Sequence, residues 1–154
     1  GYNLKMSDLH AAIGVAQLKK LDQFIAKRIA NFNYLTTKLK SLENYFILPE
    51  PTAKSQPSWF GYLLTIRDGR IDRTKLLKFL QEKGVGTRLL FAGNITKQPY
   101  FVNGKFKHRI IGKLSNTDRV MNDSFWAGIW PGLTKKELNF IAEQLKGFIQ
   151  NEGL

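Results

Sequence analysis

From residue 9 to residue 42 apolar side chains return at helical spacing. Leu9, Ile13, Ala16, Leu21, Ile25, Ile29, Phe32, Leu35, Leu39 and Leu42 mostly follow one another by three or four positions. Only an α-helix gathers such residues onto one face, and a stripe of that length has to be buried against something. The step of five from Ala16 to Leu21 breaks the phase near Lys19-Lys20-Leu21-Asp22. This predicts two helices, or one bent helix, with Asp22 as a candidate second N-cap. Ser7-Asp8 marks the start: a hydroxyl to accept from a free backbone N–H, then an acid beside the positive end of the helix dipole.

Shorter elements follow. Pro49, Pro51 and Pro57 bracket a polar loop, and Ser58 to Ile66 reads as a buried strand closed by an Asp68-Gly69 turn. Asp72 is expected to cap a helix over Arg73–Lys83, with Leu76, Leu77 and Leu80 inward and Gly84 as the stop. Val85 to Phe91 reads as a second strand, and Ile95 to Phe101 as irregular chain around Pro99. Asn116 or Thr117 is expected to cap a helix over Asp118–Phe125, before a short third strand over Ala127–Trp130. Thr134-x-x-Glu137 fits a capping box, opening a last helix over Lys135–Gln150. The order predicts an α+β fold in two layers: a long N-terminal helix beside a small, mainly antiparallel sheet covered by helices. Residues 1–48 form the helical segment and residues 49–154 the small α+β domain.

Composition narrows the functions open to such a domain. With 154 residues, 43% of them apolar, the chain can bury a core of its own. It has no cysteine, which excludes disulfides, cysteine-ligated zinc and an iron–sulfur cluster held within this chain. Lys and Arg total 24 against 12 acids, a net charge of +12, which raises nucleic acid, anionic lipid or phosphorylated ligands as partners. The excess is spread evenly, at +4 over residues 1–48, +5 over 49–100 and +3 over 101–154. No basic tail stands out. The densest stretch, Lys105-Phe106-Lys107-His108-Arg109 with Lys113 close behind, reads as a solvated loop or a phosphate or partner contact. No apolar run approaches the ~18–20 residues of a membrane span. The opening Gly1-Tyr2-Asn3-Leu4-Lys5 is not a signal peptide, and without an initiator Met the chain is expected to begin inside a longer protein.

A self-contained active site is hard to assemble from these residues. The two histidines, His10 and His108, stand 98 positions apart, and no metal-ligand, nucleophile-elbow or phosphate-loop pattern occurs. The chain alone is expected to catalyse nothing and to hold no metal. Asn3, ahead of a helix start and beside Lys5, suits either a phosphate or a simple turn. Arg88, flanked by apolar residues in a strand, needs an anion, either a ligand diphosphate or an internal carboxylate. Trp59, Phe60, Tyr62, Phe91, Trp126 and Trp130 lie on or beside the strands and suit either the core or a stacking pocket.

The string GYNLKMSDLHAAIGVAQLKKLD, taken whole, resembles the junction between large and small domains in the DegT–StrS family of pyridoxal-phosphate-type sugar aminotransferases and dehydratases. Gly1, Tyr2, Asn3, Lys5, Met6, Asp8, Ala11, Ala12, Gly14, Gln17 and Leu18 match the family pattern, and His10 stands where Gln is more usual. Pro57-Ser58-Trp59-Phe60-Gly61, Gly86 through Asn94, Gln98-Pro99-Tyr100-Phe101, Asn116-Thr117-Asp118-Arg119 and Trp130 through Thr134 resemble the RfbH-like branch. That branch comprises CDP-4-keto-6-deoxy-glucose 3-dehydratases of O-antigen dideoxysugar biosynthesis.

The resemblance implies the small C-terminal domain of a fold-type I enzyme that is cytoplasmic and homodimeric. It implies pyridoxamine or pyridoxal phosphate as cofactor, joined as a Schiff base to the 4-keto carbon of a nucleotide sugar. A His in place of the usual Lys then moves the proton as the 3-hydroxyl leaves. An iron–sulfur flavoprotein reductase supplies electrons through an iron–sulfur cluster. That His and the cluster cysteines are expected in the large domain, upstream of residue 1, so neither His10 nor His108 takes the catalytic role. Asn3 matches the residue that reaches the cofactor phosphate of the neighbouring subunit. Lys5, Arg88, Asn94, Trp59 and Phe60 match substrate-facing positions. Lys5 replaces a common Arg, which removes a bidentate grip there. The alternatives are the same domain from a sugar aminotransferase, marked by an upstream Lys, and, remotely, a basic nucleic-acid-binding module. Neither nucleic acid nor membrane is an expected partner.

Overall fold

A computed structural model describes every residue except Gly1, Asn3 and Lys105. The expected start is in place. Helix α1 spans Asp8–Leu18, and the Ser7 hydroxyl accepts from the backbone N–H of His10. Helix α2 spans Leu21–Leu39 and tightens into a 3-10 turn at Lys40–Leu42. The break falls where the apolar phase slips, but Asp22 is not its cap. Lys20 holds the N-cap position with no side-chain hydrogen bond, and Asp22 lies in the first turn, where it favours the dipole instead. The stripe divides at this break. Helix α1 buries none of its residues, whereas Phe32, Leu35 and Leu39 of α2 are buried.

Among the described residues four strands follow: β1 (Phe46–Ile47), β2 (Gly61–Ile66), β3 (Thr87–Leu89) and β4 (Ser124–Gly128). They form one antiparallel sheet in the order β1-β2-β4-β3. The α+β architecture with a small antiparallel sheet is therefore as expected. In the central pair Tyr62 stands opposite Ala127 and Leu64 opposite Phe125. Strand side chains alternate between faces, so these four, with Ile66, make an inner face, and all five are buried. Helix α2, helix α3 (Arg73–Glu82) and helix α6 (Lys135–Asn151) supply the rest of the core. Leu35, Leu39, Leu76, Leu80, Leu145 and Phe148 are among its buried side chains on those helices. Phe46 meets Phe125 edge-on at 6.4 Å, and the Tyr62 hydroxyl donates to Thr36 Oγ1 at 3.1 Å.

The caps at Asp72 and Thr134 are formed as the sequence implies. Asp72 accepts from the N–H groups of Thr74 and Lys75, and Thr134 and Glu137 make a reciprocal capping box. Other expectations are corrected. Strand β1 was not expected. It is two residues long and exists only because Phe46 and Ile47 pair with Ile66 and Thr65. Helix α5 begins earlier than expected, spanning Ser115–Asp123 with Leu114 at its N-cap, so β4 takes Ser124–Gly128 rather than Ala127–Trp130. The segment around Pro99 is not irregular. It holds a 3-10 turn at Ile95–Lys97 and a short helix α4 (Pro99–Asn103), which proline tolerates because the first helical N–H has no intrahelical partner.

Burial separates the two helices of the stripe in a measurable way. Leu35 of α2 is fully buried, and Leu35→Ala should cost about 2–5 kcal/mol in urea unfolding of this chain. Ile13 is 56% exposed, and Ile13→Asn should leave the unfolding free energy within about 0.5 kcal/mol.

Candidate functional site

The alternation that builds the inner face leaves a second face of different chemistry. Gly61, Leu63 and Thr65 of β2 stand opposite Gly128, Trp126 and Ser124 of β4, and Arg88 of β3 pairs with Trp126. At one end Thr65 Oγ1 and Ser124 Oγ hydrogen-bond at 2.8 Å, where α5 packs against β2 and β4. At the other end a groove of about 610 Å³ opens, with Phe60, Gly61, Arg88, Trp126 and Gly128 among its walls.

Trp126 is the centre of an aromatic row on this face. Its ring lies 4.9 Å from Phe60 and 5.5 Å from Phe91, centroid to centroid. A Cβ at Gly61 would come within 3.1 Å of the indole, so the bare glycine lets that ring lie close against β2. Arg28 of α2 extends the row. Its guanidinium carbon stands 5.8 Å from the Phe60 centroid, and its Nη1 donates to the Trp59 carbonyl at 3.1 Å. The indole N–H of Trp126 is buried and has no acceptor among the described residues. An orphaned buried donor is unusual, and it sets the Trp126 indole apart from the other buried side chains of the described residues.

The loop after β3 borders the row and is tightly determined. Phe91 and Gly93 both take left-handed backbone, at φ 47° and 64°. A Cβ at Gly93 would collide with Met121 of α5. Asn94 is almost fully buried. Its amide donates to Asp118 Oδ1 at 2.6 Å, and its carbonyl oxygen accepts from the N–H and hydroxyl of Thr96 at 3.0 and 2.7 Å. Lys97 Nζ stands 2.9 Å from the same Asp118 oxygen, and Gln98 Nε2 donates to the Ala92 carbonyl at 2.8 Å. The Lys97 ammonium, with the Asn94 amide second, holds the Asp118 carboxyl below its ordinary value of 3.8.

The residues singled out from sequence are thus placed differently. Phe60 and Arg88 line the same groove. Arg88 is exposed and has no ion pair or hydrogen bond among the described residues, so the internal carboxylate is not its partner. Asn94 faces inward and holds the loop. The Trp59 ring stacks flat on Phe32 of α2 at 3.9 Å and 4°, away from the row. Lys5 is exposed ahead of α1, and Asn3 lies outside the described residues. Arg28 and Asp118 were not singled out as site residues, because their partners lie 31 and 24 positions away along the chain. Glycine beside an aromatic, as at Phe60-Gly61, was the one local sign of a close ring contact.

No carboxylate lies on the outer strand positions, and no lysine does either. A pyridoxal phosphate site needs a partner for its ring nitrogen and a group at its reactive carbon, so these residues do not form one by themselves. Among the described residues no three His, Cys, Asp or Glu gather as for a metal, and no helix is long and apolar enough to cross a membrane.

A helix-covered antiparallel sheet of this layout matches the aminotransferase-like fold of known enzymes. It superimposes on the E. coli GDP-4-keto-6-deoxy-D-mannose-3-dehydratase with bound hydrated PLP at a TM-score of 0.83 and 27% identity. The match covers 94% of this chain and 36% of that one. Residues 1–146 match the DegT/DnrJ/EryC1/StrS aminotransferase family, and the chain belongs to it. It is 49% identical over 149 residues to the lipopolysaccharide biosynthesis protein RfbH of Salmonella typhimurium, covering 96% of this chain and 34% of that protein. It is 40% identical over 150 residues to the dTDP-4-dehydro-2,6-dideoxy-D-glucose 3-dehydratase of Saccharopolyspora spinosa, covering 97% and 32%. The chain spans about a third of the length of these relatives.

The Asp118 cluster carries a pH signature. A carboxyl lowered in the folded chain adds stability that is complete above 3.8 and disappears as the pH falls through the folded value. Asp118→Asn should lower the urea midpoint at about pH 7 and narrow the difference in midpoint between about pH 7 and about pH 2.5.

Proposed function

We propose that the chain is the C-terminal small domain of a pyridoxamine-phosphate-dependent NDP-4-keto-6-deoxyhexose 3-dehydratase. Such an enzyme serves C3 deoxygenation in dideoxysugar and O-antigen lipopolysaccharide biosynthesis, and this domain alone is inactive. The observation that carries this reading is the 40% identity, over 97% of the chain, to a protein named as a nucleotide-sugar 3-dehydratase. The geometry agrees with it. Arg88 is a cation without a partner among the described residues in an open groove, and a guanidinium can grip a phosphate group through two parallel hydrogen bonds. Leu9, Ile13, Val15 and Leu18 leave α1 apolar and exposed, as expected of a helix covered by a large domain or a neighbouring subunit.

In this reading residues 1–48 join the two domains and residues 49–154 close over the substrate. Arg88 binds the nucleotide-sugar phosphates, Phe60 walls the groove, Lys5 reaches the substrate from ahead of α1, and Trp59 supports the site from behind through its stack on Phe32. Asn94 acts by holding the loop that borders the groove. Asn3 contributes to the cofactor phosphate cup of the other subunit in a homodimer. The cofactor supplies the electron sink for loss of the 3-hydroxyl. The base at its reactive carbon and an iron–sulfur cluster lie outside this chain. A flavoprotein reductase is the electron-donating partner, and the setting is cytoplasmic.

The test uses the full-length protein with pyridoxamine phosphate, an NDP-4-keto-6-deoxyhexose and a reducing partner. A 3-deoxy product seen by mass spectrometry supports the dehydratase, whereas an amino sugar formed from an added glutamate donor supports an aminotransferase. Arg88→Ala should raise KM about 10- to 100-fold with a smaller change in kcat. An unchanged KM removes Arg88 from the site.

A further inference from the structure

Phe91 is a residue that stability does not explain. Its backbone sits at φ 47°, a region that a Cβ makes unfavourable and that glycine enters freely. The residue is 82% exposed, so burial returns little. The surrounding chain prevents relaxation. Phe91 N–H donates to the Leu89 carbonyl at 2.9 Å, Ala92 is tied to Gln98, and Asn94 is tied to Asp118. A strained residue held in place by its neighbours, with its side chain in solvent, is a mark of a functional position.

The chemistry of the neighbours says what the ring faces. Trp126 meets Phe91 edge-to-face, at 65° between planes, and this supports the ring while its exposure leaves a face open. Arg88, unpaired, is on the strand that leads into Phe91 and is the cross-strand partner of Trp126. An open aromatic face beside a free guanidinium matches a ligand with a planar ring joined to phosphates. We propose that Phe91, backed by Trp126, is the stacking residue for the base of a nucleoside diphosphate whose phosphates meet Arg88. The proposal rests on the nucleotide-sugar reading above and places the two ends of that ligand on this face.

Calorimetric titration of the full-length protein with CDP, GDP and dTDP, and with inorganic pyrophosphate, tests it. Phe91→Gly removes the ring and relieves the backbone. It should weaken the nucleoside diphosphates about tenfold, leave pyrophosphate unchanged and leave Tm unchanged or higher. Phe91→Trp should restore nucleotide binding. Wild-type affinity for the nucleotides in Phe91→Gly overturns the proposal, and so does an equal loss for pyrophosphate, which would report general disruption. A fall in Tm of several degrees in Phe91→Gly also overturns it, because the ring would then be a structural contact. If the wild-type protein binds none of the three nucleotides, the nucleotide-sugar reading fails and takes the proposal with it.

Discussion

Tyr62 and Leu64 on β2 stand opposite Ala127 and Phe125 on β4, and all four are buried. Because successive strand side chains point to opposite faces, this one pairing divides the domain. Every residue that it commits to the inner face needs apolar cover, and α2, α3 and α6 bring Leu35, Leu39, Leu76, Leu80, Leu145 and Phe148 to supply it. The same pairing sends Gly61, Trp126 and Gly128 to the other face, where Arg88 joins them from β3. A one-residue slip of β4 in this register would turn Phe125 and Ala127 outward and Trp126 inward, which fixes the register firmly. The groove is the remainder of that division.

Charge alone would not have found it. With 24 cations against 12 acids, many basic side chains must lack an acidic partner. Among the described residues the ion pairs lie at or near the surface: Lys40 with Glu43, Arg70 with Asp68, Lys78 with Glu82 and Lys97 with Asp118. At physiological salt, exposed charges further apart than about 8 Å are largely screened, so the net charge says little about any one position. Arg88 is set apart by its surroundings, which are aromatic rings and glycines with no carboxylate on the outer strand positions.

How much of this was legible in the sequence follows from the range of each interaction. The stripe in α2, the Asp72 cap and the Thr134–Glu137 box rest on residues within a few positions of one another, and all were readable. The stripe named a face and not its partner, so the exposed α1 and the buried half of α2 looked alike. Strand β1 carries no signal of its own, since two residues gain a strand's geometry only from Ile66 and Thr65. The fate of Trp59 and Phe60 was equally hidden. The two neighbours in sequence divide, one ring onto Phe32 and the other into the row with Trp126, and only the path of the chain into β2 decides which.

The loop after β3 shows how a site residue can depend on a remote element. Asn94 reaches 24 positions to Asp118, and Gly93 lies against Met121, so α5 sets the shape of the loop. Helix α5 is itself tied to the sheet and to α3. Arg73 Nη1 donates to the Met121 carbonyl at 2.6 Å, and Arg119 Nη2 donates to the Ile66 carbonyl at 3.5 Å. The left-handed turn at Phe91 is therefore braced through α5 to the end of β2 and the start of α3, while its ring projects into solvent. Rigid support for an exposed aromatic is the arrangement that recognition requires, since a ring fixed in advance loses little conformational freedom when a ligand arrives.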